Sequence, residues 1–468
     1  MADILDLSAL EISDRIGRGV LKPSELMRAT LDRIAKVNGA VNAIVSLRDA
    51  GDLMAEALAA DDAPREGWLH GMPLAVKDLV ATKGIVTSWG SPAFADHVPV
   101  ADDLLARRLK AAGAILIGKT NVPEFGLGSH SYNPVFGVTR TPYDLSRSAG
   151  GSSGGAGAAL ATRMVSVADG SDMMGSLRNP GAWNNVYGMR PSHGLVPMDP
   201  VGEMILHPLA TLGPMARCPA DLAALLETLA GPDDLQPVGA EFIAGDLTVD
   251  LKGKRIGWLG DWGGAYAMEP GILPLCEAAL GVFEGLGAQV KRLDPIFRAS
   301  DIWASWVGLR SWAIAHKLGE FYDDPARKGL LKPEAIWEIE NGRSLDNAEI
   351  LRLSSLRSDW FRASARALQE FDALVMPTAQ VWPFPAEWDW PKEINGQAMD
   401  TYHRWMEVVI AVSLLGLPAV NLPVGFGENG LPMGMQIFGP RGADRRILQI
   451  AQSYHEQTDW PGTHPPAL

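Results

Sequence analysis

A stretch rich in glycine and serine, residues 148–180, constrains this chain more than any other feature. It reads SAGGSSGG at 148–155 and DMMGSLRNP at 172–180, so that Ser152 and Ser176 stand 24 residues apart. Glycine lets the backbone adopt conformations that a Cβ forbids, and it lets N–H groups close around a ligand. A serine becomes a nucleophile only when another group removes its proton. The stretch therefore predicts a catalytic loop that needs a base.

A lysine 75 residues before Ser152 is the candidate for that base. Lys77 ends the largely apolar run GMPLAVK at 71–77. Burial disfavours the charged form of lysine, so a lysine among apolar neighbours can act as a base. Together, Lys77, Ser152 and Ser176 predict a serine hydrolase that uses lysine in place of histidine.

Four other interpretations of the glycine–serine stretch fit less well. A phosphate-binding loop would carry a lysine after its glycines, and a dinucleotide-binding loop would carry a third glycine, and both are missing. A flexible linker is disfavoured because residues 156–161 continue as a helix of small residues. A Ser-His-Asp triad is disfavoured as well, because no Gly-x-Ser-x-Gly pattern surrounds Ser176. His193, which follows soon after, is expected in a turn.

The overall composition narrows the function classes. The 468 residues carry a net charge of −14, which argues against binding to nucleic acid or to anionic membranes, since both need basic surfaces. No apolar run is long enough to span a membrane, and the start of the chain has no secretory pattern. The two cysteines form no zinc-binding spacing. We expect a cytoplasmic protein that uses no metal and no cofactor.

Helical and strand patterns alternate along the chain and predict an α/β protein with a large sheet. Two helices are expected in the first 40 residues, and residues 254–259 and 288–293 read as buried strands on either side of a helix. The other predicted helices lie at 102–112, 220–230 and 443–454, and the other predicted strands at 114–118, 372–376 and 419–423.

Tryptophans concentrate in one part of the chain. Nine of the fifteen lie between Trp303 and Trp405, which leaves two interpretations open. They fill a helical layer as ordinary core residues, or some of them line an aromatic or long apolar substrate pocket.

Several motifs in a fixed order resemble one known family. Beside the glycine–serine stretch they are GMPLAVKD at 71–78, KTNVPE at 119–124, NPVFG at 133–137, GLPAVNLP at 416–423 and GLPMGMQIFG at 430–439. The chain is identified by them as a member of the amidase signature family, from about residue 5 to 455 and only loosely at 300–400. The resemblance implies an α/β fold in which helices cover both faces of a large mixed central sheet. It also implies one amidase domain over 1–468, with a variable tryptophan-rich helical region at about 300–410.

The resemblance assigns the catalytic triad to Lys77, Ser152 and Ser176. Ser176 would be the nucleophile that becomes acylated. Ser152 would follow a cis peptide bond from Gly151 and pass the proton of Ser176 to a neutral Lys77. Ser153 is adjacent to Ser152 and is expected to support it.

In the family, consecutive backbone N–H groups before the nucleophile bind the oxyanion. Here they belong to Met173, Met174 and Gly175, together with Ser176 itself. Met174 departs from the pattern, because most relatives have glycine at that position. We expect this change to alter the shape of the pocket and to leave the chemistry intact.

Asp172 and Arg178 match family positions and are expected to pair and to brace the loop. An ordinary surface ion pair is the alternative. Gly126 and Gly128 align with the segment that borders the acyl pocket in relatives, where they would leave room for a bulky acyl or aryl group. His130 stands nearby, either in contact with substrate or as a structural histidine.

The resemblance implies hydrolysis of an amide through an acyl-serine intermediate, and the same chemistry extends to esters and carbamates. The tryptophans and the two glycines favour aryl or hydrophobic small-molecule substrates. The alternative is the glutamine-hydrolysing subunit of a tRNA-dependent amidotransferase, which would bind partner proteins. A third interpretation is a binding protein without activity, which the intact triad disfavours. A homodimer is common among relatives, although nothing in the chain requires one.

Overall fold

The computed structural model describes residues 4–200, 203–206 and 208–468. The helices with more than one turn of regular structure are, in chain order, α1 Ala9–Gly17, α2 Pro23–Val41, α3 Ala50–Asp62, α4 Leu104–Ala111, α5 Gly154–Ala161, α6 Arg178–Trp183, α7 Pro219–Leu229, α8 Ile272–Gly285, α9 Ala299–Asp323, α10 Pro325–Lys328, α11 Pro333–Ser344, α12 Asn347–Glu370, α13 Ile410–Leu415, α14 Asp444–Thr458 and α15 Trp460–Thr463. The strands are β1 Ile44–Val45, β2 Pro73–Lys77, β3 Ile115–Thr120, β4 Tyr132–Asn133, β5 Gly137–Val138, β6 Val167–Asp172, β7 Tyr187–Arg190, β8 Thr211–Ala216, β9 Arg255–Trp258, β10 Gln289–Arg292, β11 Ala373–Pro377, β12 Glu393–Ile394, β13 Gln397–Ala398, β14 Ala419–Phe426 and β15 Pro432–Phe438.

An eight-stranded sheet forms the centre of the fold. Its strand order is β10-β9-β11-β15-β14-β7-β8-β6. The first three strands are parallel, and every later pair is antiparallel. Helices α5 and α6 pack together beside this sheet, and α7, α8 and α14 form another layer against it. The predicted class, a large mixed sheet covered by helices, is therefore confirmed.

A small sheet brings Lys77 to the edge of the large one. Strand β2 pairs in parallel with β3, which also pairs with β1, and Lys77 is the last residue of β2. Strand β6 is the terminal strand of the large sheet and packs against β2. The end of β2 therefore lies beside the segment that runs from β6 into the second serine motif.

Helix α5 is built of small residues because other backbone passes close to it. A Cβ at Gly155 would lie 2.3 Å from the amide nitrogen of Asn121, and one at Gly157 would lie 3.0 Å from the carbonyl oxygen of Pro180. Both contacts are too short for any side chain. The glycines of α5 thus let this helix pack closely against the end of β3 and against α6.

Local sequence signals account for several helix ends. The Ser8 side chain accepts the N–H of Glu11, and the Glu11 carboxylate accepts the N–H of Ser8, which forms a capping box at the start of α1. Helix α2 begins at Pro23 and ends before Asn42, which has the left-handed conformation that commonly stops a helix. The predicted helices and strands exist, with ends shifted by a few residues.

One strand prediction is wrong in its burial. Residues 288–293 contain β10, but three of its four residues are exposed and Val290 is only half-buried. Strand β10 is the outermost strand and pairs only with β9, so its side chains meet solvent. Strand β9 lies one place further in, and its residues after Arg255 are buried as expected.

The tryptophan-rich region, residues 300–410, contains α9 to α12 and then returns to the sheet as β11. Trp306 and Trp360 are fully buried, whereas Trp337 and Trp388 are 36% and 49% exposed. Core filling therefore explains several of the tryptophans. Among the described residues, no helix is both long enough and apolar enough to cross a membrane.

Candidate active site

The side chain of Lys77 lies among three serine hydroxyls at the end of β2. Its Nζ donates to Ser152 Oγ at 2.8 Å, to Ser153 Oγ at 2.7 Å and to Ser171 Oγ at 2.9 Å. The lysine is only 1% exposed. Because hydroxyl groups can both donate and accept, this arrangement accommodates a neutral amine as well as an ammonium group.

Burial gives Lys77 the properties of a base. It lowers the pKa of Lys77 to about 7, while the nearby carboxylates of Asp169 and Asp172 act in the opposite direction. A lysine with a pKa near neutrality can accept a proton and return it within one catalytic cycle. The site thus holds a base whose protonation changes at physiological pH.

Ser152 and Ser176 lie on segments that are hydrogen-bonded to each other. The peptide bond between Gly151 and Ser152 is cis, as the resemblance implies. The N–H of Ser153 donates to the carbonyl oxygen of Ser176 at 3.2 Å. Ser176 is 6% exposed and Ser152 is 2% exposed. All three residues of the expected triad are buried, Lys77 contacts Ser152 directly, and the segments that carry Ser152 and Ser176 are joined by a backbone hydrogen bond.

The segment before Ser176 presents backbone N–H groups. That of Gly175 donates to Asp172 Oδ1 at 2.8 Å, whereas those of Met173, Met174 and Ser176 have no hydrogen-bond acceptor in the described part of the chain. Gly175 has a positive φ of 77°, and a Cβ there would lie 2.8 Å from Val409. The Met174 side chain is buried in the main hydrophobic core and is 3% exposed. Its thioether therefore packs into the protein interior.

Asp172 and Arg178 form a buried ion pair beneath this segment. Nε and Nη2 of Arg178 each lie 3.0 Å from the carboxylate, and both side chains are inaccessible to solvent. Arg190 makes a second ion pair with Asp172 at 3.3 Å. Burial alone would raise the pKa of Asp172, but the two guanidinium groups outweigh it and hold the pKa well below its usual value. The pair is therefore not an ordinary surface ion pair.

The two glycines expected at the acyl pocket lie on a segment beside the serine cluster. A Cβ on Gly126 would lie 3.7 Å from Ser152 Oγ, and one on Gly128 would lie 3.8 Å from the ring of Tyr402 and 4.0 Å from Lys332 Nζ. Both glycines have a positive φ. A Cβ on Gly126 would also lie 2.8 Å from Leu79 Cδ1, so Leu79 occupies the space there, whereas the nearest atoms to a Cβ on Gly128 belong to the tryptophan-rich region.

A cavity of only 10 Å³ lies beside Gly128, and two tryptophans help to line it. Its wall includes Trp390, Trp405 and Tyr402 together with charged side chains. Two larger cavities, of 620 and 650 Å³, lie elsewhere, around His193 and around Trp262. The cavity by Gly128 is too small to hold a substrate group, so a substrate pocket lined by tryptophans stays a prediction.

The tryptophan-rich region contacts the segment that precedes Ser176, proposed to bind the oxyanion and called the oxyanion segment below, through Arg310. Its Nη1 lies 2.9 Å from Met173 Sδ, while Nε donates to Glu338 at 2.6 Å and Nη2 to Tyr402 Oη at 2.8 Å. The Tyr402 hydroxyl also donates to Glu338 at 2.7 Å. These three polar side chains are buried. Their hydrogen bonds link α9, α11 and the segment before α13 to one another next to Met173.

His130 has structural partners. Its Nε2 lies 3.1 Å from the Ala386 carbonyl oxygen, and its Nδ1 lies 2.7 Å from Ser148 Oγ. Burial lowers the pKa of His130 to about 3, so the ring is neutral at physiological pH. The structural interpretation therefore describes this histidine. His193 lies in a turn, as expected.

Sequence reasoning missed four polar residues of the site: Asp169, Ser171, Arg190 and Arg310. Asp169 and Ser171 alternate along β6, so a strand pattern over 167–172 would have placed both on one face. No sequence signal connects Arg310 with Met173. Within the described ranges, no group of three His, Cys, Asp or Glu side chains is arranged to hold a metal ion.

A buried lysine among serines, at the edge of a large mixed sheet covered by helices, fits a class of hydrolases that act on carbon–nitrogen bonds. The family model described as Amidase matches residues 25–448. The chain therefore belongs to the amidase signature family.

Relatives with different names are similarly close. An acylamidase of Rhodococcus erythropolis is 31% identical over 470 residues, covering 98% of this chain and 97% of that protein. A glutamyl-tRNA(Gln) amidotransferase subunit of Salinispora arenicola (strain CNS-205) is 32% identical over 512 residues, covering 100% of both chains. The crystal structure of a bacterial aryl acylamidase of this family superposes with a TM-score of 0.91, at 27% identity and 99% coverage of each chain.

Proposed function

We propose that this protein hydrolyses aryl or hydrophobic small-molecule amides through an acyl-serine intermediate on Ser176. The observation that carries the proposal is the position of Lys77 Nζ, within hydrogen-bond distance of Ser152 Oγ in a buried site. The similarity to an acylamidase and to an aryl acylamidase supports the choice of substrate. Esters and carbamates with similar acyl groups are further substrates.

In this mechanism Ser176 Oγ attacks the carbonyl carbon, and the electron pair of the C=O bond moves to its oxygen. The Ser176 proton passes to Ser152 Oγ, and the proton of Ser152 passes to neutral Lys77. Lys77 then returns a proton through Ser152 to the leaving amine as the C–N bond breaks. Water attacks the acyl-serine with the same groups acting in reverse, which releases the acid and restores Ser176.

The negative oxygen of the tetrahedral intermediate is bound by the N–H groups of Met173, Met174 and Ser176. Each lost donor at such a site typically reduces the rate about 10²–10³-fold. Gly175, whose N–H already donates to Asp172, shapes the turn that presents the other three. Ser153 acts as a further hydroxyl partner of Lys77, and the Asp172–Arg178 pair supports the loop.

The proposed preference for aryl substrates rests on the part of the site around Gly128. Gly128 lies beside the Tyr402 ring, and Trp390 and Trp405 line the small cavity next to it. A flat, apolar acyl group would pack against these rings once the neighbouring side chains shift to admit it. A single domain, a cytoplasmic location and a homodimer are further parts of the proposal. The two unpaired cysteines fit the reducing cytoplasm.

The alternative function is the glutamine-hydrolysing subunit of a tRNA-dependent amidotransferase. The similarity to such subunits favours it. Two features weigh against it: Met174, which stands where the family resemblance implies glycine, and the tryptophan-rich region.

A release assay tests the proposal on matched aryl and alkyl p-nitroanilides, primary amides, p-nitrophenyl esters and carbamates, and on glutamine. We expect turnover of aryl amides, and a loss of at least about 10⁴-fold in Ser176→Ala, because the substitution removes only the nucleophile. Turnover that Ser176→Ala retains would contradict the mechanism. Equal rates on aryl and alkyl amides would contradict the substrate class, and glutamine hydrolysis stimulated by a co-purifying protein would favour the alternative.

A further inference from the structure

A buried carboxylate that the proposed mechanism does not use lies directly beside the catalytic lysine. Asp169 is in the middle of β6 and is 1% exposed. Its two carboxylate oxygens lie 3.0 and 3.3 Å from the backbone nitrogen of Lys77. Burying a carboxylate is unfavourable unless charges and hydrogen bonds offset it. In the described part of the chain, the Asp169 carboxylate accepts a hydrogen bond from one N–H of another residue, that of Lys77. A positive charge nearby would therefore stabilise this carboxylate.

Strand alternation makes β6 a support for both ends of Lys77. Asp169 and Ser171 are two residues apart and face the same side of the strand. Asp169 accepts the lysine's backbone N–H, and Ser171 Oγ accepts a hydrogen bond from Nζ at 2.9 Å. The backbone and the amine of the lysine are thus held by one face of a neighbouring strand.

We propose that Asp169 is a positioning residue for the catalytic lysine, whose carboxylate fixes the backbone of Lys77 and stabilises the ammonium group formed when Lys77 takes up the proton of Ser176. This inference rests on the proposed function, because it assigns Asp169 to the same proton transfer. In that step no new bond involves Asp169, and the carboxylate acts through its charge and its hydrogen bond.

The charges around this pair are few, and each has a defined direction. Lys77 faces the carboxylates of Asp169 and Asp172, both of which favour its charged form. Asp169 faces Lys77 and Lys119, and burial raises its pKa to about 6 against the influence of both cations. Lys119, on β3, in turn faces Asp78, Asp102 and Asp103. A pKa of about 6 leaves Asp169 mostly ionised above pH 7, where Lys77 loses its proton.

The sign of the expected effect follows from these charges. Asp169 favours the ammonium form, so its removal lowers the pKa of Lys77. The base then becomes neutral at a lower pH, and the acidic limb of the pH profile moves down by roughly one pH unit. A residue that only supported the fold would reduce stability and leave this midpoint where it is.

The experiment measures the rate at which a fluorophosphonate probe labels Ser176 between pH 5 and 9. It needs no substrate, so a failure of the inference is distinguishable from a failure of the amidase proposal. Wild-type labelling should rise with a midpoint near pH 7 as Lys77 loses its proton. Asp169→Asn removes the charge and keeps an acceptor for the N–H, so the midpoint should fall while the plateau stays within a few-fold of wild type.

Asp169→Leu removes both the charge and the acceptor, and it should show the same shift with a lower plateau. Either variant suffices if the other fails to fold. The matched control is Asp221→Asn, another buried carboxylate that accepts backbone N–H groups, from Ala9 and Leu10, at a distance from the site. Its midpoint should equal that of the wild type. A folded Asp169 variant with an unshifted midpoint, or an equal shift in Asp221→Asn, would overturn the inference.

Discussion

Two regions of the molecule are in contact with each other and are stabilised differently. In residues 148–190 the polar groups bond to one another and to nearby backbone, as in the pairs of Asp172 with Arg178 and Arg190. In the tryptophan-rich region apolar contacts dominate, and the main buried ion pair joins Arg310 to Glu338. In the proposed function the first region supplies the reacting groups and the second contributes to substrate selection. On that proposal chemistry and specificity are separable, except where Arg310 contacts Met173.

The largest expected effect on stability tests the buried pair of the first region. Arg178→Met leaves Asp172 with Arg190 as its remaining ionic partner and should lower the free energy of unfolding by about 3–5 kcal/mol, because a buried charge loses a partner. Urea denaturation measures it. The control is Arg352→Met in the second region, which breaks an exposed pair with Glu349 and should leave the midpoint unchanged. Similar losses in both variants would remove the distinction between the regions.

A smaller effect tests the contact between the regions. Arg310→Lys keeps the charge but cannot hold Met173, Glu338 and Tyr402 at once, so the oxyanion segment should shift and kcat should fall about tenfold. Steady-state kinetics on one p-nitroanilide separates kcat from KM. Tyr402→Phe removes one hydroxyl and keeps the Arg310–Met173 contact, so it should change kcat less. A change confined to KM in Arg310→Lys would mean that the second region affects binding alone.

The smallest effect concerns selectivity. Gly128→Ala places a methyl group 3.8 Å from the Tyr402 ring, in the space assigned to the acyl group, and should reduce kcat/KM a few-fold for aryl amides and less for small alkyl amides. Gly128 has a φ of 99°, so some stability is lost as well. Gly396→Ala is the matched control, since its φ is 83° and its Cβ would meet no atom within 4 Å. An equal change in the two variants would assign the effect to the backbone.

The sequence predicted the glycine–serine region in more detail than it predicted the tryptophan-rich region. Motif spacing and the family resemblance singled out Lys77, Ser152 and Ser176, and the structure places Lys77 in contact with Ser152 on a segment hydrogen-bonded to that of Ser176. The same reasoning left two interpretations for the tryptophans. Trp306 fills the core, as the first interpretation expects, whereas a substrate pocket lined by tryptophans stays a prediction. Periodicity reports burial, but it does not report which buried face meets a ligand.

Some outcomes depended on neighbours that are distant in the chain. The exposure of β10 follows from its place at the edge of the sheet, which its own sequence does not specify. The family resemblance implies glycine at the position of Met174, but only the packed structure places the Met174 thioether in the core.

The sequence by itself determined the fold class and the family, because several specific motifs follow one another in a fixed order along the chain, and the same motifs point to the proposed reacting residues. Only the tertiary structure decided how the base is held and what the substrate meets. Asp169 reaches Lys77 across 92 residues, and Arg310 reaches Met173 across 137. Such contacts depend on how strands and helices from separate parts of the chain pack, and burial then sets the energy of each charge.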